Sequence, residues 1–112
     1  MLDRYEKDSL HDILEAIRRI QMYTAEFAYE EFEEDYKTQD AVIRNLEIIG
    51  EAAKNIPSEF RDKHQEIPWK KMAGTRDRLI HHYFGVNLEI VWEIAEIELP
   101  SVFLQIEALL QE

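Results

Sequence analysis

The chain has 112 residues, no cysteine, 46% hydrophobic residues and a formal net charge of -11. That length makes one domain, 1–112, and a core small enough to gain from a second copy or a partner chain. The absence of cysteine excludes disulfides and thiolate metal sites, and the acidic balance excludes indiscriminate binding to nucleic-acid phosphates.

No apolar run approaches the roughly 20 residues that span a bilayer. The opening MLDRYEKDSLHDIL is charged throughout, unlike a signal peptide, so a cytoplasmic protein without membrane attachment is expected. The charge is uneven. Residues 61–82 hold six Lys/Arg against three Asp/Glu, a local +3, whereas residues 83–112 hold six Glu and no Lys or Arg. A basic island on an acidic chain suits an anion site of limited size; ordinary variation along helix surfaces accounts for it equally well.

Three glycines and three prolines leave little room for a turn-rich β fold, and apolar residues recur at helical spacing. Leu10, Ile13, Leu14, Ile17, Thr24, Phe27 and Ala28 predict a first helix over about 4–30, followed by an acidic turn from Glu30 to Asp35. Thr38 is placed to cap a second helix striped by Val42, Leu46, Ile49, Ala53 and Ile56 and ended by Pro57. A helical turn over 58–64 comes next. Pro68 then opens a third helix carrying Trp69, Met72, Ala73 and Leu79 and ending by Gly85. Asn87 caps the last helix, whose stripe from Leu88 to Leu110 is interrupted by Pro100, so a kink or break is expected near 96–99. Short connections between four main helices imply an all-α antiparallel bundle.

The chain lacks HExxH, a repeated Glu-x-x-His pair, a glycine-rich phosphate loop and a serine nucleophile elbow. The pointed segment is Arg76-Asp77-Arg78-Leu79-Ile80-His81-His82-Tyr83. Arginine offers a planar fork suited to phosphate, and histidine exchanges protons near neutrality. Asp77 and His81 are four apart, so the carboxylate can orient the imidazole if the helix continues; Arg76 and Tyr83, seven apart, then share a face. Such a set can cleave a phosphodiester without metal, with a base for the RNA 2′-OH and a cation for the charge building on phosphorus. Spacing leaves a second reading open: the helix dipole favours a basic, histidine-rich helix end, and Tyr83 and Phe84 can be core residues.

Arg76, His81 and Tyr83 read as R-x4-H-x-Y. With the blocks TQDAVIRNLEIIGEAAKNIP (38–57) and EIPWKKMAGTRDRLIHHYFGVNLEIVW (66–92), and the late LPSVFLQI, this resembles HepT-type toxins of the HEPN ribonuclease superfamily over nearly the whole chain, most weakly over 1–35. The resemblance implies a single HEPN domain: a four- to five-helix bundle that forms a homodimer through its motif-bearing helices. It implies a metal-independent endoribonuclease toxin acting on RNA, with tRNA one kind of target. No cofactor and no metal are implied. The implied partner is an MntA-type nucleotidyltransferase antitoxin that silences the toxin by attaching AMP to the motif tyrosine. Carried over by position, Arg76 binds and polarises the scissile phosphate, His81 is the general acid/base, Asp77 is the supporting polar residue, and Tyr83 is the AMP acceptor. His82 inherits no role. Two copies of the basic island facing each other would make a composite site on an otherwise acidic protein.

Two rivals remain: a non-catalytic HEPN subunit that binds nucleotide or positions a nucleotidyltransferase, and a purely structural helical adaptor. The Arg76/His81 pair favours the enzyme, and only the acidic surface speaks for the adaptor. Gly50 reads as a close-packing residue, Glu47 and Glu51 as solvated or paired with Arg44 or another base, and Trp69 and Trp92 as core or interface anchors rather than base-stacking platforms.

Overall fold

The first helix, α1 (Arg4–Thr24), begins where the Asp3 carboxylate accepts the Glu6 N–H at 2.8 Å. The computed structural model describes residues 2–79 and 85–111. The α1 stripe of Leu10, Ile13, Leu14, Ile17 and Ile20 is buried. The helix stops at Thr24, six residues earlier than its apolar period suggests. The Thr24 hydroxyl donates to the Ile20 carbonyl at 3.1 Å, and the Phe27 N–H turns back onto the Thr24 carbonyl.

The acidic segment expected as a turn is a helix, α2 (Tyr29–Glu34). The Glu31 carboxylate accepts the Ala28 N–H at 2.9 Å at its start, and Phe32, fully buried, anchors it against the Trp92 ring 5.1 Å away. The buried Gln39 amide donates to the carbonyls of Phe32 and Glu33, both at 2.9 Å, and so helps satisfy the end of α2, where the Phe32 carbonyl also accepts the Asp35 N–H.

Asp35 rather than Thr38 caps α3 (Tyr36–Asn55): its carboxylate accepts the Thr38 N–H at 2.9 Å, and Thr38 lies inside the helix as a donor. Ile56, before Pro57, leaves the α region and ends α3 as expected. α4 (Ser58–Lys63) is the short turn foreseen there. The single helix expected from Pro68 is two, α5 (Trp69–Ala73) and α6 (Thr75–Leu79), separated at Gly74. Glycine is a poor helix interior residue. Here a Cβ would stand only 3.2 Å from the Lys70 carbonyl oxygen, a tighter approach than most side chains make, so glycine suits the turn.

Asn87 caps α7 (Leu88–Glu93) by accepting the Ile90 N–H. The chain then passes through a π-helical turn, Ile94–Glu98, into α8 (Leu99–Leu110). Pro100 has no N–H to give and its ring would press on the carbonyl four residues back. The widened turn, in which the Leu99 N–H reaches the Ile94 carbonyl, absorbs this without ending the helix. The expected interruption is therefore a bulge rather than a break.

The all-α architecture centres on α1 and α3, the most extensive helix pair. Ser9 and Asp12, early in α1, line one groove with Glu51 and Asn55, late in α3, so the two helices run antiparallel. α8 packs on the other side of α1, and α5 and α6 pack on α3. Gly50 lets α3 and α5 approach closely: an added Cβ would meet the Met72 carbonyl oxygen at 3.4 Å. No helix among the described residues is long and apolar enough to cross a membrane.

Asp35 closes one helix and opens the next. Asp35→Ala should lower stability by about 1 kcal/mol. Urea denaturation followed by circular dichroism should show an earlier midpoint with an unchanged slope; an unchanged midpoint would deny the cap its role.

Candidate functional site

Thr75 and Leu79, one helical turn apart, hold α6 in place with 4% and 2% of their surfaces exposed. The residues between them must then face outward. Arg76 and Asp77 are exposed, and Arg78 is half-buried.

Arg76 lies along a groove of about 370 Å³ between α1 and α3. Arg44, Lys54 and Arg76 meet Asp12, Glu47 and Glu51 there, three charges of each sign. Glu51 pairs with Lys54 at 3.7 Å in an exposed contact worth little. Glu47 is in no ion pair among the described residues, and it does not pair with Arg44. Asp77 is solvent-facing beside Arg76. His81 and Tyr83, the expected acid/base and AMP acceptor, lie outside the described residues, as do His82 and Phe84. Their flanks are described. The Leu79 carbonyl accepts the Asn87 N–H at 2.8 Å, so the two ends of the intervening segment are held together. Gly85, at φ +111°, follows it in a conformation that glycine adopts freely.

The residue missed in sequence is Arg78. Its two Nη atoms donate to both Glu98 carboxylate oxygens, at 3.1 and 2.7 Å, and Lys71 Nζ stands 3.5 Å from the same carboxylate. Side-chain exposure is 28% for Arg78 and 21% for Glu98, so water screens the pair only in part. The Arg78 hydrogen bonds hold the Glu98 carboxyl below the ordinary carboxylate range, and Glu98 in turn raises the Arg78 guanidinium. The pair ties α6 to the π turn, and thereby fixes the helix that carries Arg76. A separation of 20 residues hides such a contact from any local pattern.

Trp69 is a core anchor, as expected: it is 4% exposed, and its indole N–H donates to the His64 carbonyl at 2.9 Å. Trp92 packs on Tyr29 and Phe32. Among the described residues no group of three or more His, Asp or Glu side chains is placed to hold a metal ion.

An all-α bundle with an arginine held on a short helix at a groove, four intervening residues ahead of H-x-Y, is the class of protein that the motif implied. Residues 13–109 match the family described as ribonuclease HepT-like, and the chain belongs to that family. It is 52% identical over 101 residues to a probable ribonuclease HepT of Thermococcus cleftensis, covering 90% of this chain and 92% of that one. It is 48% identical over 103 residues to a protein of Methanocaldococcus jannaschii named as a candidate RNase, covering 92% and 85%. A similarly named protein of Caldanaerobacter subterraneus is 51% identical over 85 residues, 76% of each chain. No solved structure matches the chain significantly.

Glu98→Gln should cost about 1–2 kcal/mol at pH 7 by weakening a charge-assisted pair. The folded-state pKa of Glu98 is lowered, so its contribution is full above the ordinary carboxylate range and is lost as pH falls through the folded value. Thermal melts of wild type and Glu98→Gln should therefore converge in acid. A gap independent of pH would show that the charge on Glu98 is not what stabilises the clasp.

Proposed function

We propose that this chain is the toxin of a toxin–antitoxin pair: a metal-independent endoribonuclease silenced by AMP transfer to Tyr83. The observation that carries the reading is Arg76, exposed at a groove and held there through its helix, in a chain of the HepT-like ribonuclease family. Arg76 binds the scissile phosphate and stabilises the charge that grows on its oxygens in the transition state. His81 takes the proton from the RNA 2′-OH as that oxygen attacks phosphorus. The bond to the 5′ oxygen breaks, and the leaving oxygen is protonated from the imidazolium. The products are a 2′,3′-cyclic phosphate and a 5′-hydroxyl. Asp77 steadies the His81 imidazole in the required orientation.

The groove beside Arg76 carries as many acids as bases among its described residues. A two-fold dimer that brings both motif segments to one cleft doubles the local arginine and histidine content and completes the site. Light scattering should give a dimer at micromolar concentration; a monomer there would remove the composite site.

His81→Ala and Arg76→Ala should each reduce RNA cleavage by about 10²–10⁴ with the fold intact by circular dichroism. Wild-type cleavage should survive EDTA. Activity lost on chelation and restored by a divalent ion would overturn the metal-independent chemistry.

Silencing uses the Tyr83 hydroxyl as nucleophile on the α-phosphorus of ATP, with pyrophosphate leaving and AMP retained. A cognate MntA-type nucleotidyltransferase supplies the ATP site. The adduct brings a negative charge and a base to the neighbourhood of Arg76, where they compete with RNA phosphate. Co-expression with that nucleotidyltransferase should add one or more AMP masses to the wild type and none to Tyr83→Phe. Equal increments on both proteins would refute the assignment of Tyr83.

A further inference from the structure

The basic island does not act as one patch. α6 divides it: Arg76 turns to the charge-balanced groove, whereas Arg78 turns to an open trough of about 940 Å³ on its other side. Arg61, Lys70, Lys71 and Arg78 line that trough against a single acid, Asp62. Arg78 is committed to Glu98, and Lys71 leans on the same carboxylate. Arg61 and Lys70 are in no ion pair among the described residues. The Arg61 Nε–H is itself buried and has no acceptor among the described residues.

The acidic chain, net -11, creates a requirement here. A polyanion approaching the groove of Arg76 meets three acids with three bases, and gains little Coulombic attraction from it. Its affinity has to come from elsewhere on the molecule. We propose that the trough between α4, α5 and α6 is an RNA-backbone exosite, in which Arg61 and Lys70 bind phosphates flanking the one presented to Arg76. The proposal rests on the ribonuclease reading for the identity of the polyanion. Trp69 lines the trough but is almost wholly buried, so the site reads phosphate spacing and not bases.

The test uses a fluorescein-labelled 2′-O-methyl RNA oligonucleotide, which lacks the nucleophilic hydroxyl and stays intact, with the full-length protein. Anisotropy titrations at several salt concentrations should show Arg61→Gln/Lys70→Gln binding more weakly by on the order of tenfold. Two lost phosphate contacts should also make the slope of log K against log salt shallower by about 1.4. Lys70→Gln alone, at an exposed position, should show part of both effects if the double variant folds poorly. Arg18→Gln/Arg19→Gln, which makes the same charge change on exposed positions of α1, should bind as wild type does.

Wild-type affinity and slope in the double variant would overturn the exosite. So would an equal loss in the α1 control, because net charge alone would then explain it. Unchanged RNA binding with altered self-association would also overturn it, by assigning the trough to an acidic protein face. Cleavage of ordinary RNA is read separately. On that substrate the double variant should raise KM and leave kcat near wild type. A wild type that binds the oligonucleotide through the trough but cleaves nothing would refute the nuclease reading and leave the exosite standing.

Discussion

Two basic side chains converge on one carboxylate at the seam between α6 and the π turn. Glu98 receives both terminal nitrogens of Arg78 and stands within ion-pair reach of Lys71. Helix α6 is five residues long, too short to hold its shape by its own hydrogen bonds. Its order comes from tertiary anchors: Thr75 and Leu79 on the inner side, and the Arg78 fork on the flank. Glu98, which lies in the π turn, accepts that fork. Pro100 forbids a normal hydrogen bond four residues back, and the helix widens just before it. The carboxylate that fixes α6 thus lies within a backbone accommodation of another helix, and α6 presents Arg76.

The clasp has an electrostatic consequence as well. Neutralising Arg78 removes a fixed cation from the vicinity of Arg76, so the two arginines, separated by one residue, do different work. One is structural and pairs within the chain. The other stays exposed and available to a ligand. A helix with both arginines free would repel its own neighbour and would bind stray anions. With Arg78 internally paired, exposed cations lie on both sides of α6, Arg76 on one and Lys70, with the half-buried Arg61, on the other.

Much of the scaffold was legible because its causes are local. The stripes of α1 and α3, the stop at Pro57 and the Asn87 cap each follow from a few consecutive side chains. The errors share a different origin. Six acids and aromatics from Tyr29 to Glu34 look like a solvated turn until Phe32 is seen against Trp92, a contact 60 residues away in sequence. Thr38 looked like a cap because hydroxyls often are; Asp35, three residues earlier, accepts from it instead. Gly74 inside a continuous apolar period gave no sign that the helix divides, since Trp69, Met72, Thr75 and Leu79 keep their inward spacing across the break. The candidate site divides in the same way. Arg76 was legible from its motif, whereas the pair that holds its helix was not, because a salt bridge across 20 residues has no periodicity.

The division of the island by α6 also bears on how an acidic protein can act on RNA at all. Long-range attraction depends on net charge and is screened within about 8–10 Å at physiological salt. Within that distance local arrangement decides, and a trough whose four cations face Asp62 and the Glu98 carboxylate keeps a local excess of positive charge whatever the distant acids contribute. Acidic residues over the rest of the surface then act against non-productive contact: a polyanion is held where cations cluster and repelled elsewhere. High net negative charge and phosphate binding are compatible under that arrangement, provided the cations are grouped beside the motif-bearing helix rather than spread over the chain. Here residues 61–78 supply that grouping, and α6 runs through the middle of it.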